Sequence, residues 1–215
     1  MRESRSAARY RRARGILRRF GIRVTPYHLI LERLPHGATA DLDRLPPGLS
    51  CMPFGEAELA EIVELEARRG HVDPEVIRSR AGTDVGCLGL KENGVIVAFS
   101  WYAVESVDSP YMPERLAPNE AYLFDMWVAP EYRGRKLAPI LRYRTYRHLA
   151  DIGVDTCFSV TQLGNDASAR FKAKLGAERV HLGISYDVRG RWRGRVTLWR
   201  FGPRGPATPP PVPGD

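Results

Sequence analysis

Residues 127–138, WVAPEYRGRKLA, constrain the fold of this chain more than any other stretch. Apolar residues typical of a strand precede Pro130, the Arg-Gly pair at 133–134 predicts a turn, and a helical pattern begins near Leu137. Such a unit would present backbone N–H groups and a helix N-terminus at the carboxyl end of a strand, which suits a pyrophosphate. Taken alone, the pattern also fits an ordinary strand-to-helix turn with solvated arginines.

The spacing of apolar residues predicts the other elements of the chain. Strands are predicted at 22–33 with an interruption at Pro26, and at 49–53, 85–90, 95–104, 120–128, 156–162, 177–188 and 195–201. Helices are predicted at 56–69, 75–80, 137–151 and 165–175, and loops at 35–48 and 105–119. Asn93-Gly94, between two apolar runs, predicts a hairpin. This order predicts an α+β fold in which helices flank a mixed sheet.

The positive charge is concentrated at the N-terminus. The formal net charge is +8, and residues 1–20 hold eight arginines against Glu3, which leaves the rest of the chain near neutral. A nucleic-acid-binding domain spreads basic residues over a face of the fold, so nucleic acid is not the expected partner. The apolar residues of this arm have helical spacing: Tyr10, Ala13, Ile16, Leu17 and Phe20.

Two interpretations of the arm remain open. As a basic amphipathic helix, residues 1–20 would bind an anionic membrane surface or an acidic partner. As a solvated extension, the arm would have no such role. The Pro- and Gly-rich residues 202–215 predict a disordered tail.

The cysteine content indicates a reducing compartment. Cys51, Cys87 and Cys157 are odd in number and lack metal-ligand spacing, which argues against a disulfide framework and against a zinc site. No apolar run reaches the roughly 18–20 residues of a membrane-spanning helix. We therefore expect a cytoplasmic protein, with peripheral association with the inner membrane left open.

Two motifs resemble those of the GNAT superfamily, the CoA-dependent N-acyltransferases. The first is the acyl-CoA-binding motif, matched by Val128, Pro130, Arg133 and Ala138, with Lys136 where the family usually has Gly. The second follows a strand and is matched by Asn165, Ser168, Phe171 and 174–176. The resemblance covers roughly residues 50–200, and the arm and the strand at 22–33 lie outside it.

The resemblance implies a GNAT-type fold, with a twisted, mostly antiparallel mixed sheet flanked by helices. It divides the chain into a basic extension at 1–21, an acyltransferase domain at 22–201 and a tail at 202–215. The strands at 120–128 and 156–162 would splay apart, and the pantetheine arm of CoA would lie between them. The implied CoA-binding residues are Met126, Val128, Arg133, Gly134, Arg135, Lys136, Leu137, Ala138, Asn165 and Ser168.

By the same resemblance, the reaction is acyl transfer from acyl-CoA, acetyl by default, to a primary amine by direct attack in a ternary complex. No metal is expected, and the backbone amide near Val128 would stabilise the oxyanion. A base must take a proton from the ammonium. Glu120, thirteen residues before Arg133, is the first candidate. Asp125 is the second, as a lone carboxylate among apolar residues whose burial would make it a stronger base.

The general acid is not apparent from the sequence. Many GNAT enzymes have a Tyr just after the position of Phe171, whereas this chain has Lys172. The proton for the thiolate could come from Lys172, from water or from another group, with Tyr132, Tyr143 and Tyr146 as alternatives.

Two other functions remain open at this stage. One is transfer of a long acyl chain to an amino-lipid or sphingoid-type amine at the inner membrane, and the other is CoA or partner binding without catalysis. A homodimer is also left open. The following residues could line a wide apolar site or form the core: Trp101, Tyr102, Tyr111, Met112, Leu123, Phe124 and Trp127.

Overall fold

The computed structural model describes residues 15–33, 40–70, 72–81, 83–107, 109–112 and 115–202. The strands are β1 (Ile22–Glu32), β2 (Leu49–Pro53), β3 (Val85–Glu92), β4 (Val95–Ala103), β5 (Glu120–Val128), β6 (Thr156–Gln162), β7 (Glu178–Val188) and β8 (Trp192–Arg200). The helices are α1 (Ala40–Asp43), α2 (Glu56–Arg69), α3 (Pro74–Arg78), α4 (Leu137–Asp151) and α5 (Asp166–Lys174).

Most of the N-terminal arm and almost all of the tail lie outside the described residues. The arm is described only from residue 15, where residues 15–19 are helical and the side chains of Ile16 and Phe20 are 54% and 61% exposed. The predicted arm helix before residue 15 and the tail from residue 203 therefore stay predictions.

The described strands form one eight-stranded sheet in the order β2-β3-β4-β5-β6-β1-β7-β8. Within it, β5 and β6 pair in parallel and the other six pairings are antiparallel. This confirms the predicted α+β fold with a mostly antiparallel mixed sheet. The strand nearest the N-terminus, β1, lies inside the sheet between β6 and β7, where its residues have partners on both sides.

Helices pack on both faces of this sheet. On one face, Tyr146 and Leu149 of α4 pack with Ala121 and Leu123 of β5. On the other face, α2 and α3 form a core with residues of β3 and β4: Ile62, Ile77, Cys87, Phe99 and Trp101. Because neighbouring strand residues point to opposite faces, the two sides of β5 are lined differently.

Pro26 does not interrupt β1, contrary to the prediction. It pairs with Ile184 of β7, while pairing with β6 begins only at Tyr27, opposite Gln162. Pro26 lacks an N–H donor, but its side towards β6 already lies beyond the end of that strand. There its carbonyl accepts the Leu163 N–H at 3.0 Å, so the missing donor costs no ladder bond.

The turn between β7 and β8 is shorter than predicted. Residues 189–191 form it, with φ of 54° at Arg189 and 71° at Gly190, and β8 begins at Trp192 rather than at residue 195. Gly194 suggested a longer turn but lies within β8, opposite Tyr186. A Cβ at Gly194 would lie 2.5 Å from the Tyr186 hydroxyl, so close packing rather than turn geometry requires this glycine.

Other local predictions are confirmed. The β3–β4 hairpin turns at Asn93 and Gly94, both with positive φ, as a tight two-residue turn requires. Asp73 caps α3 by accepting the N–H of Glu75 at 3.0 Å. Within the predicted loop at 35–48, residues 40–43 form the single turn of α1, and residues 34–39 lie outside the described part of the chain.

Candidate active site

The strands β5 and β6 separate in the middle of the sheet. They pair in register from Glu120–Thr156 to Leu123–Ser159 and no further. Beyond that point β6 continues to pair with β1, and β5 with β4. In the space between 124–128 of β5 and 160–162 of β6, called here the β5–β6 gap, the backbone groups of the two strands therefore do not pair with each other.

An irregularity in β5 lies at the start of this gap. The pairing of β4 with β5 shifts register between Phe99 and Trp101, and Asp125 has a φ of 44°. A bulge of this kind bends a strand and redirects the side chains that follow it.

The backbone of β5 offers hydrogen-bonding groups to the β5–β6 gap. The Ala129 N–H donates to the Val97 carbonyl at 2.8 Å, so Ala129 faces β4. Because backbone polar groups alternate in direction along a strand, those of Val128 and Met126 face the gap instead. Both side chains pack on the α4 side of the sheet, which leaves the backbone to contact a ligand.

The turn after β5 has the geometry of an anion site. A single 3₁₀ turn, Pro130–Tyr132, leads to Gly134 and Lys136, both with left-handed backbone at φ of 83° and 60°. Lys136 is the N-cap of α4, and the exposed residues 133–136 lie directly before the helix N-terminus. The first amides of a helix lack partners within it and attract anions.

The left-handed backbone of Lys136 gives a physical reason for the glycine that the family has there. An L-residue with a side chain pays about 1–2 kcal/mol in this conformation, and glycine pays far less. The loop therefore keeps the glycine-like path with a lysine, and the Lys136 side chain adds a positive charge beside the helix N-terminus.

Two arginines of the turn are held by the turn itself. Arg133 Nε donates to the Val128 carbonyl at 3.3 Å, which brings this guanidinium to the β5–β6 gap. The Arg135 guanidinium lies 4.7 Å from the centre of the Tyr132 ring. The Tyr132 hydroxyl donates to Glu92, so this tyrosine anchors the turn to β3.

Asn165 and Ser168 lie at the N-terminus of α5, on the far side of the gap. The Asn165 side chain caps the helix by accepting the Ser168 N–H at 3.1 Å. Ser168 Oγ lies 3.4 Å from Thr161 Oγ1 of β6. The structure thus gives both residues a capping and packing role and brings them next to β6.

The two candidate bases lie in different places. Glu120 is at the paired end of β5, opposite Thr156, where its carboxylate accepts the Ala117 N–H at 3.0 Å. At about 3.3 Å per residue, Val128 is roughly 26 Å further along the strand. Asp125 lies at the bulge, at the start of the β5–β6 gap.

Asp125 is not the buried, lone carboxylate that its apolar neighbours suggested. The bulge turns its side chain outwards, where it is 37% exposed and forms an ion pair with Arg80 at 2.5 Å. The Arg80 guanidinium packs 4.6 Å from the Trp101 ring and 4.9 Å from the Phe124 ring. A fixed carboxylate beside the gap therefore results from an arginine held between two aromatic rings.

Lys172, in the position where many relatives have Tyr, points from α5 to β6. Its ammonium donates to Ser159 Oγ at 2.7 Å, to the Val160 carbonyl at 3.1 Å and to Thr161 Oγ1 at 3.1 Å. These residues lie at and just beyond the last β5–β6 pair. The Lys172 nitrogen is therefore buried at the closed end of the β5–β6 gap.

Glu32, which the sequence did not single out, completes this buried group. It is 1% exposed, accepts hydrogen bonds from Tyr146 and Ser159, and lies 3.8 Å from Lys172 Nζ. Arg142 Nε lies 3.5 Å away in an ion pair without a hydrogen bond. Because Glu32 is the last residue of β1, only the placement of β1 inside the sheet reveals this cluster.

The ionisation of this cluster follows from burial and charge. Burial opposes the charge of Glu32, but Arg142, Lys172 and the two hydroxyl donors outweigh it and lower the pKa of Glu32. For Lys172 burial dominates and lowers the pKa to about 8, against the opposing effect of Glu32. The Tyr146 hydroxyl, buried beside Glu32, has its pKa raised well above the usual value.

Most of the apolar residues considered for a wide acyl site are core residues. Trp101, Tyr102, Met112 and Leu123 are at most 9% exposed and belong to the packed clusters. Among the described residues, no helix is long and apolar enough to cross a membrane. Transfer of long chains and binding to a membrane stay predictions.

The family assignment rests on the sequence as well as on this geometry. The model described as "Acetyltransferase (GNAT) family" matches residues 56–177, more than half of the chain. The chain belongs to the GNAT acetyltransferase family. No curated protein matches the sequence.

Solved structures of GNAT proteins share the fold. A putative GNAT acetyltransferase from Novosphingobium aromaticivorans aligns with a TM-score of 0.54 and 21% identity over 76% of this chain and 65% of its own. A GCN5-related N-acetyltransferase from Kribbella flavida aligns with a TM-score of 0.52 and 15% identity over 80% of this chain and 61% of its own. This chain thus spans less than two thirds of the length of either protein.

A shorter relative is covered almost completely. AAC(6')-Iy, solved with the bisubstrate analogue CoA-S-monomethyl-acetylneamine, aligns with a TM-score of 0.50 and 19% identity over 60% of this chain and 89% of its own. At such identities the likeness concerns the fold, and the substrates of this chain must be argued from its own residues.

Proposed function

We propose that this chain is an N-acyltransferase that moves an acyl group, acetyl by default, from acyl-CoA to a primary amine in a ternary complex. The observation that carries this proposal is the β5–β6 gap, which opens towards the turn at 133–136 and the N-terminus of α4. The turn and the helix N-terminus suit a pyrophosphate, and the gap between the strands suits an extended pantetheine arm.

The residues present fit bound CoA. The backbone groups of Met126 and Val128 would bind the pantetheine arm, and the turn from Arg133 to Ala138 would bind the pyrophosphate. When bound, acyl-CoA supplies an activated thioester. The Val128 or Met126 amide would then face the carbonyl oxygen, where a fixed N–H donor stabilises developing negative charge.

A direct experiment tests this function. The full chain is incubated with acetyl-CoA, or with a long-chain acyl-CoA, and a panel of primary amines, and the products are identified by mass spectrometry. An N-acylated amine and stoichiometric free CoA are expected. Tight CoA binding by calorimetry without any product would instead favour a non-catalytic CoA-binding protein.

We assign proton donation to Lys172. Its nitrogen is buried at the closed end of the gap, and a pKa of about 8 leaves it largely protonated at neutral pH yet able to release a proton to a departing thiolate. Because the pKa of a thiol is only about 8.5, a thiolate is a good leaving group. We therefore expect protonation by Lys172 to raise the rate only about tenfold.

The Lys172→Met variant should lose about tenfold in kcat and also the fall in kcat above about pH 8 that deprotonation of the lysine causes. Lys174→Met, an exposed position of the same helix, is the matched control and should keep the wild-type profile. An unchanged pH profile in Lys172→Met would show that water supplies the proton.

Of the two candidate bases, we favour Asp125 because it lies at the gap, whereas Glu120 lies at the paired end of β5. Asp125→Asn should lower the rate about tenfold, most strongly at low pH, where the amine is most protonated, and should leave CoA affinity unchanged. Glu120→Gln should behave like the wild type. If both variants keep full activity from about pH 6 to 9, the proton is removed elsewhere.

A further inference from the structure

A cavity of about 480 Å³ lies on the sheet face that carries α2 and α3, between the ends of β1, β7 and β8 and the segment 109–111. Two cross-strand rows form its floor. The first joins Arg23, Asp187 and Arg193, and the second joins Thr25, Ser185 and Arg195. Neither the family motifs nor the CoA-binding turn includes any of these residues.

The described lining of this cavity carries an excess of positive charge. Asp187 is the one acid in it and is shared by two arginines, at 2.7 Å from Arg23 Nη2 and 3.2 Å from Arg193 Nε. Among the described residues, Arg195 forms no ion pair with a carboxylate, and it donates to the Met112 carbonyl at 2.7 Å. In the described part of the lining, three guanidinium groups thus face one carboxylate, and a bound anion would compensate the excess positive charge.

The arginines can reach a ligand. The side chains of Arg23 and Arg193 are each 63% exposed, whereas that of Asp187 is only 16% exposed beneath them. The pKa of the neighbouring His181 is lowered first by burial, then by Arg200, and by Arg195 of the cavity only as the smallest of the three causes. The hydroxyls of Thr25 and Ser185 lie on the same floor and can also donate to an anion.

The segment 109–111 covers the cavity and connects it to the strands of the β5–β6 gap. Tyr111 lines the cavity, and its hydroxyl accepts a long hydrogen bond of 3.5 Å from Nε2 of Gln162, the last residue of β6. Ser109 donates at 3.3 Å to the hydroxyl of Tyr122, which pairs with Phe158 just before β5 and β6 separate. The lining residues Ser109 and Tyr111 therefore contact the two strands that border the gap, Tyr122 of β5 just before it and Gln162 of β6 at its open end.

We infer that this arginine-lined cavity binds an anionic group, a carboxylate or a phosphate, of the same acceptor molecule whose amine is acylated at the gap. The inference rests on the proposed function and narrows its substrate class. Arg193 and Arg195 offer fork-shaped donors that match carboxylate and phosphate oxygens. Amines with several positive charges would meet like charges here and are excluded as preferred acceptors.

Matched acceptors test the inference in the full chain with acetyl-CoA. We expect kcat/KM to be at least about tenfold higher for an amino acid than for its amide, because charge-assisted hydrogen bonds are among the stronger ones. Phosphoethanolamine against ethanolamine gives the phosphate comparison, and spermidine represents polycations. Acylation of spermidine and ethanolamine in preference to both anionic acceptors would overturn the inference and leave the acyltransferase activity established.

Variants assign the effect to the cavity. Arg193→Gln and Arg195→Gln should each remove most of the preference for the anionic member of each pair while CoA affinity stays unchanged. Arg193→Lys should restore part of it. Arg191→Gln, in the turn outside the cavity, should keep the wild-type preference. A preference that survives in both cavity variants would contradict the assignment.

A binding measurement separates this inference from the proposed function. N-acetylglycine and inorganic phosphate, which cannot be acylated, are titrated into the protein and followed by NMR. Binding that weakens at least about tenfold in Arg193→Gln and Arg195→Gln supports the cavity even if no amine is acylated. Absence of binding of both probes to the wild type, or equal binding to the variants, would overturn it.

Discussion

The Ala138→Asp variant is expected to lose at least about a hundredfold in CoA affinity while its melting temperature stays close to that of the wild type. Ala138 is in the first turn of α4 and ends the segment 133–138 that is assigned to the pyrophosphate. Two like charges about 4 Å apart cost about 4 kcal/mol at an effective dielectric constant of about 20, more than the hundredfold loss requires.

The fold should tolerate this substitution because a carboxylate near a helix N-terminus is itself favourable. The expected outcome is thus a loss of binding by calorimetry together with unchanged thermal unfolding. Ala150→Asp introduces the same charge at an exposed position in the last turn of α4 and should bind CoA normally. Wild-type affinity in Ala138→Asp would refute the assigned pyrophosphate site.

The Glu32→Ala variant should lose about 3–5 kcal/mol of unfolding free energy, because it leaves the buried cations Arg142 and Lys172 without their carboxylate. Glu32 is only 1% exposed, so bulk solvent does not reach the two cations in the native structure. Denaturant unfolding of the variant measures the loss. Glu64→Ala, at an exposed position of α2, should change stability by no more than about 0.5 kcal/mol.

A second variant distinguishes lost charge pairing from lost packing. If unpaired charge is the cause, the double variant Glu32→Leu, Lys172→Met should be more stable than Glu32→Leu alone, since it removes one buried cation as well. Additive destabilisation in the double variant would show that Glu32 acts mainly through the volume it fills.

Local rules predicted those parts of the fold that depend on neighbouring residues. Asp73 followed by Pro74, Asn93 followed by Gly94 and the helical spacing of 137–151 led to the elements that the structure contains. The predicted interruption at Pro26 was wrong because a proline breaks a strand pairing only where its nitrogen faces a partner strand. Whether the nitrogen of Pro26 faces one depends on where β6 ends.

The geometry of the candidate site could be predicted only where its residues are continuous in sequence. The turn at 133–138 could be identified because its strand, loop and helix follow one another. Glu32 and Lys172 are 140 positions apart, and neither has a neighbour that indicates a buried ion pair. The arginine-lined cavity combines residues of β1, β7 and β8, whose alignment is fixed by strand register and not by any local pattern.

The position of β1 also has a consequence for the order in which the protein can fold during synthesis. β1 is translated before the other strands of the sheet, yet its two neighbours are residues 157–162 and 178–188. At 5–20 residues per second, the nascent strand waits roughly seven to thirty seconds for them. During that interval Leu29 and Ile30, buried in the finished sheet, are exposed to other chains. We therefore expect folding yield to depend on translation rate and on chaperones, because the sheet closes around its earliest strand last.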